Sequence, residues 1–220
     1  MGLNLTYIAA AFPAIIIALA LHEYGHAAMA VKMGDPTPRL QGRLTLNPMA
    51  HLDPAGTFFI IMTLLMGFGF GWGKPVQTNP MYYKDFRSGT ILVAIAGPAM
   101  NLAQAMLAIG VGFLLFLQGA QLPEFAHLFL VVFIIINIVL MVFNLLPVPP
   151  LDGGHVMEQV LPWEMREGYR RFGQYGILLL LGLMFLGLLG YIISFFMGIV
   201  TFLIQSAFGT DFVRWLFSGL

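Results

Sequence analysis

The sequence predicts an all-α membrane protein, a polytopic bundle of about five to six transmembrane helices with a small interfacial β-hairpin or re-entrant segment. Three observations lead there. The 220 residues are 59% hydrophobic and only 9% charged, whereas a soluble domain carries about a quarter charged residues. Mean hydropathy is +0.87. Several apolar stretches also reach the ~20 residues that a helix needs to cross a bilayer. So short a chain cannot hide that much apolar surface from water, and lipid must be the solvent for most of it.

Taken in order, residues 7–31 form the first predicted span. No charge occurs in 7–21, and the helix runs on through His22, Glu23 and His26. Pro13 is acceptable within it, because neighbouring helices can satisfy the freed backbone groups. With no basic residue in 1–7, this reads as a retained span, not a cleaved signal. Residues 32–56 are polar and punctuated by Pro36, Pro38, Pro48 and Pro54. Short alternation such as Arg39-Leu40-Gln41 suggests a turn-rich hairpin at the interface. Residues 57–70 are apolar but short for a crossing, which fits a short tilted helix or, the reading the basic residues favour, a re-entrant segment that dips in and out of one leaflet. Residues 72–87 are polar again, with Tyr82 and Tyr83 suited to the headgroup belt.

Residues 91–117 and 125–146 are clear spans joined by a tight connection at 119–124. A polar stretch at 151–171 follows, and then the long apolar run 177–208, which is either one long tilted helix or a hairpin broken at Gly187 and Gly190. Lys32, Arg39, Arg43, Lys74, Lys84 and Arg87 precede the 91–117 span, and Arg166, Arg170 and Arg171 follow the 125–146 span. By the positive-inside rule both basic segments face the cytoplasm. The whole chain, 1–220, reads as one polytopic domain with a core at about 7–155 and additional C-terminal helices at about 172–208.

Lys plus Arg and Asp plus Glu each total 10, so net charge indicates no nucleic-acid partner. The absence of cysteine excludes disulfides, thiolate metal sites and Cys-based nucleophilic catalysis.

Chemistry concentrates in His22-Glu23-Tyr24-Gly25-His26, an HExxH. On a helix, positions four apart share a face, so both imidazoles can ligate one metal while Glu23 projects beside it. Two neutral imidazoles and a carboxylate suit zinc, Zn2+, with a position left open for water, and Glu23 is placed to take that water's proton. Polar side chains inside a span cost ~2.5–3.5 kcal/mol when charged and normally line a site. A third ligand is needed. The candidates are Asp152 in LDGGH, Asp53 in HLDP, and the histidines His51 and His155.

HExxH in the first span, together with NxxPxxPLDG from Asn144 to Gly153 at the end of a later one, resembles the site-2 protease family of intramembrane zinc metalloproteases. The segments Gly71-Trp72-Gly73-Lys74-Pro75-Val76 and Ala96-Gly97-Pro98-Ala99-Met100-Asn101 look like further signatures of its small bacterial and archaeal branch without PDZ or CBS domain. The resemblance implies His22, His26 and Asp152 as zinc ligands and Glu23 as general base. Asn144 matches the polar residue that holds substrate or stabilises the oxyanion. Asn101 is a weaker carry-over, explained equally by helix packing, and His51 could serve the site or merely cap a turn.

The implied activity is an intramembrane endopeptidase that cleaves transmembrane segments in regulated intramembrane proteolysis. A transmembrane protein substrate and the lipid bilayer are the expected partners, and a homo-oligomer is compatible with the pattern. The expected location is the plasma membrane, multi-pass. At a 1.5 Å rise per residue, Glu23 lies ~24 Å from Tyr7 and ~15 Å from Met33, which puts the site nearer the cytoplasmic side. Two rival functions use the same residues: a transporter or channel with ionisable groups along a path, and a catalytically silent membrane scaffold. Substrate helices must unwind before cleavage, because their carbonyls are already hydrogen-bonded. Either 32–56 or 71–87 is therefore expected to offer a strand edge to the extended substrate.

Overall fold

A computed structural model describes residues 4–67, 69 and 71–218. The predicted segment 57–70 thus includes Phe68 and Phe70, which lie outside the described residues. The fold is helical throughout. The first helix, α1 (Leu5–Met33), starts where the Asn4 side chain accepts from the Tyr7 amide and ends at Gly34, whose φ of 114° closes a left-handed cap. After a short helix, α2 (Thr37–Leu40), and a 3-10 turn at Pro48–His51 come α3 (Pro54–Met66) and the long α4 (Phe86–Leu117). Then follow α5 (Glu124–Asn144), α6 (Asp152–Val160), α7 (Trp163–Gly173), α8 (Gly176–Phe185), α9 (Leu188–Phe208) and α10 (Thr210–Phe217).

Four of these helices, α1, α4, α5 and α9, are long and apolar enough to cross a membrane among the described residues. That is fewer than the predicted five to six, because two of the apolar stretches form only the shorter helices α3 and α8. At 13 residues, α3 reaches only ~20 Å along its axis and falls short of the ~30 Å hydrocarbon core. The run 177–208 divides at Gly187, which adopts φ 72° as the N-cap of α9. Gly190 lies inside α9.

The expected interfacial β-hairpin is not formed. The described residues contain no strand, and the only pairing is an isolated antiparallel bridge between Leu52 and Gly73. The reason is local. Pro48 and Pro54 sit at the first positions of a 3-10 turn and of α3, where the missing amide costs nothing. The Asn47 and Asp53 side chains cap the same two elements. These caps and prolines draw the backbone into turns and helix starts instead of a ladder. The Arg39-Leu40-Gln41 alternation falls in α2 and its C-cap.

The centre of the bundle is α1 packed on α4 and α5. In lipid there is no hydrophobic drive to press helices together, so close van der Waals contact must hold them. The buried face of α1 is accordingly built largely of Ala10, Ala11, Ala14, Ala18, Ala20, Gly25, Ala27 and Ala30. Gly25 permits contact with the α4 backbone, since a Cβ there would come within 2.7 Å of the Ala96 carbonyl. By contrast Ile204 is the only buried residue of α9, and most of that helix faces lipid.

The helix α10 was not foreseen in the sequence. Phe212 and Leu216 on it are fully buried against α4 and α5, in a cluster with Ile109, Val131 and Ile134. His127 at the start of α5 donates to the Leu216 carbonyl at 2.9 Å and stacks on Trp215. Phe212→Ala should destabilise the bundle by on the order of 3 kcal/mol, measurable as an earlier denaturation midpoint in detergent.

Candidate metal centre

On α1, His22 and His26 stand one turn apart, with ring centroids 4.6 Å apart and planes nearly perpendicular. The third group arrives from far along the chain. Pro147, Pro149 and Pro150 stop α5 and force a turn. The chain then folds back so tightly that a Cβ on Gly153 would lie 2.3 Å from the Leu145 carbonyl oxygen, and one on Gly154 2.7 Å from the Pro149 nitrogen. Only glycine fits at these two places, and their packing delivers Asp152, the first residue of α6, to the histidine pair.

The Asp152 Oδ2 atom lies 3.3 Å from His22 Nε2 and 3.4 Å from His26 Nε2, and the two Nε2 atoms are 3.0 Å apart. The three side chains are 7%, 12% and 16% exposed, in the order His22, His26, Asp152. They are the one group of its kind among the described residues.

The opposite nitrogen of each ring explains why the Nε2 atoms converge. His22 Nδ1 is 2.6 Å from the Asn101 side-chain oxygen, and His26 Nδ1 is 2.8 Å from the Val93 carbonyl. Both partners can only accept, so each Nδ1 carries the proton and each Nε2 presents a lone pair. Two lone pairs and a carboxylate oxygen then face one another with no donor between them. Asp152 Oδ2 is buried without a hydrogen-bond partner. Such a set is repulsive by itself and favourable around a cation. Ligand bonds of ~2.0–2.2 Å in a tetrahedral shell put neighbouring ligand atoms about 3.3–3.6 Å apart. The observed edges nearly match, so the donor set fits zinc.

The supports extend outward from the ligands. Asn101, fully buried on α4, turns its amide nitrogen to Asn137 Oδ1 at 2.8 Å and to the Ala18 carbonyl at 3.3 Å. Asn137 in turn donates to the Phe133 carbonyl at 2.8 Å. Gly97 completes the cradle, because a Cβ there would sit 2.3 Å from His26 Nε2. The base candidate Glu23 accepts through Oε2 from the Val76 amide at 2.8 Å.

The other residues singled out in the sequence make different contacts. Asp53 caps α3 by accepting from the Gly56 amide at 2.7 Å. His51 is fully buried and bonds the Thr45 carbonyl at 2.9 Å, while its own carbonyl accepts from the Lys74 amide. His155 is exposed on α6. Asn144 spends its amide nitrogen on the Leu140 carbonyl one turn back, at 3.0 Å.

Comparison with known proteins bears on this geometry. YwhC of Bacillus subtilis, a candidate zinc metalloprotease by its name, is 38% identical to the chain over 183 residues, 81% of each protein. The profile of peptidase family M50 matches residues 117–189. The chain belongs to peptidase family M50. The resemblance to the site-2 proteases therefore holds. Two further relatives, the Rip2 proteins of Mycobacterium tuberculosis and Mycolicibacterium smegmatis, carry the same kind of name and are 32% and 31% identical over 76% and 77% of the chain. The chain spans 62% and 64% of their length. No solved structure matches the chain. The M50 profile covers the Asp152 half of the site, and the triad geometry joins that half to the HExxH helix.

Asn137, the Val93 carbonyl and the Val76 amide were not anticipated. Asn137 carried a usable signal as a lone amide in the apolar run FIIINIVL, since a polar group at membrane depth asks for a partner. The two main-chain groups carried none.

Replacing Asn101 with Leu should lower divalent-metal affinity by about 10–100-fold, read by competition against a chromogenic chelator. Gly97→Ala should abolish binding outright, because its methyl group occupies the place of the His26 ligand atom. Unchanged affinity in both variants would show that the triad is not the metal site.

Proposed function

We propose that this chain is a zinc-dependent intramembrane endopeptidase acting on transmembrane segments of membrane proteins, as regulated intramembrane proteolysis requires. The single observation that carries the reading is the convergence of His22 Nε2, His26 Nε2 and Asp152 Oδ2 to within 3.4 Å of one another, with both histidines on α1, a helix long and apolar enough to span a bilayer. Membership of the M50 family supports it. On this reading His22, His26 and Asp152 hold the ion.

When bound there, zinc supplies a Lewis acid that brings the pKa of water towards ~7 and polarises a carbonyl. The chain's own residues do the rest. With Oε2 held by the Val76 amide, Glu23 has Oε1 free to take a proton and later return it to the leaving amine. Asn144 is the candidate for holding the substrate carbonyl, once its Nδ2 exchanges Leu140 for substrate. The low exposure of the triad keeps bulk water out and calls for a local opening before substrate reaches it.

We place the catalytic core in residues 7–155, in the plasma membrane, with the site nearer the cytoplasmic face. The basic connectors on either side of α3 and after α6 support that orientation. Unwound substrate has an extended partner in residues 71–79. Alternate residues of an extended chain aim their main-chain groups to opposite edges. Lys74 and Val76 direct their amides to His51 and Glu23, leaving the edge of Gly73, Pro75 and Gln77 for strand addition.

Purified protein given a single-pass test substrate should cleave it. Glu23→Gln should slow cleavage by at least about 10²–10⁴-fold, and a chelator should stop it with recovery on adding zinc. Full activity in Glu23→Gln, or indifference to the chelator, would remove this function. For the strand edge, Gln77→Pro deletes one free amide and should raise KM several-fold with kcat held. An unmoved KM would rule out pairing there.

A further inference from the structure

Two charged side chains outside the metal centre are buried without an ion-pair partner among the described residues. Arg43 is 6% exposed and Asp35 0%, and neither joins a salt bridge there. Burying a lone charge is costly unless hydrogen bonds replace its water. Both spend their hydrogen bonds on main-chain groups, and both bridge the same two connectors. The Arg43 guanidinium donates from one nitrogen to the Ala50 carbonyl and from the other to the Lys74 carbonyl. One Asp35 oxygen accepts from the Thr37 amide at 2.9 Å, and the other accepts from the Asn79 amide at 2.6 Å. The connector after α1 therefore grips the extended segment at Lys74 and at Asn79.

Val76 lies between those two grips, and its amide is the group that meets Glu23. Burial holds the Arg43 guanidinium below its ordinary value, partly offset by the Glu23 carboxylate.

We propose that Arg43 and Asp35 are positioning residues for catalysis, which hold residues 74–79 taut so that the Val76 amide fixes the Glu23 carboxylate with one oxygen free for proton transfer. The proposal rests on the protease reading above. Arg43 suits the task because its planar fork spans two carbonyls on separate loops, which one lysine ammonium does not reproduce. The metal ligands belong to α1 and α6, so loosening this clamp leaves the ion in place and disturbs only the base. A displacement of ~1 Å at a reacting group can cost about 100-fold in rate.

The test uses the zinc-loaded full chain with Arg43→Gln, Asp35→Asn, Val76→Pro and the double variant Arg43→Gln/Val76→Pro. Val76→Pro removes only the amide that Glu23 uses. Three quantities are read: bound zinc per chain, kcat and KM on the single-pass substrate, and amide hydrogen exchange across residues 71–79. Zinc should stay bound and KM should stay within about threefold, while kcat falls by about 100-fold in Arg43→Gln and in Val76→Pro alike. The double variant should be no slower than either single one, because both act through the same bond. Exchange across 71–79 should accelerate in Arg43→Gln and Asp35→Asn.

Rate losses that multiply to about 10⁴-fold in the double variant would show that Arg43 acts independently of the Val76 amide, and would overturn the proposal. So would a wild-type kcat in Arg43→Gln. Should Arg43→Gln fail to fold, Asp35→Asn releases the other grip and is read by the same criteria. A zinc-loaded wild type that cleaves nothing would sink the protease reading instead. The exchange data then decide the clamp alone, and unaltered exchange in both Arg43→Gln and Asp35→Asn would refute it.

Discussion

Polar groups survive at membrane depth only if each has a partner, because no water is present to compensate a missing one. This constraint organises the interior of the protein. His22 and His26 would be intolerable in α1 as free imidazoles. They are acceptable because Asn101 and the Val93 carbonyl take the Nδ1 protons, while the Nε2 atoms face Asp152 in a set that a cation would satisfy. Asn101 creates a need of its own, answered by Asn137, which passes the obligation to the Phe133 carbonyl of its own helix. The chain of bonds stops where the backbone can absorb it. Three spans, α1, α4 and α5, are thereby locked in register by one polar thread through an otherwise apolar interior.

Close approach is the second requirement, and glycine meets it at the places where backbone meets the site. Gly25 lets α1 touch α4, Gly97 opens room for the imidazole of His26, and Gly153 with Gly154 lets the turn after α5 fold flat. Packing of this kind makes the site rigid at its ligands. A Cβ at Gly97 would collide with the His26 ligand atom itself, so metal geometry and helix packing are one feature.

The parts legible in the sequence are those whose chemistry is local. HExxH declares two ligands and a base within a single turn. The LDG aspartate is marked by the prolines and glycines that any such reversal needs. Membrane residence follows from composition. The third ligand could be narrowed to Asp152, Asp53, His51 and His155, but residue type alone did not choose among them; resemblance pointed to Asp152, and the fold brings only Asp152 to the pair. Asn101 read equally well as packing, since an amide in a span says that a partner exists without saying which. The hairpin was misjudged because alternation at Arg39-Leu40-Gln41 outweighed the cap residues Asn47 and Asp53 and the prolines that follow them, which favour helix starts. The helix α10 went unseen because its eight residues are fewer than the ~11–18 over which a helical period is read.

Catalytic parts are divided between two kinds of structure. The proposed metal ligands come from α1 and from the start of α6, both anchored in tightly packed backbone. The orientation of the base depends on a connector outside the spans, held by Arg43 and Asp35 through main-chain bonds. Under the strand addition proposed above, substrate would pair along that same connector. On the proposed reading, a segment that received substrate along one edge of residues 71–79 would be the same one whose Val76 amide meets Glu23 on the other.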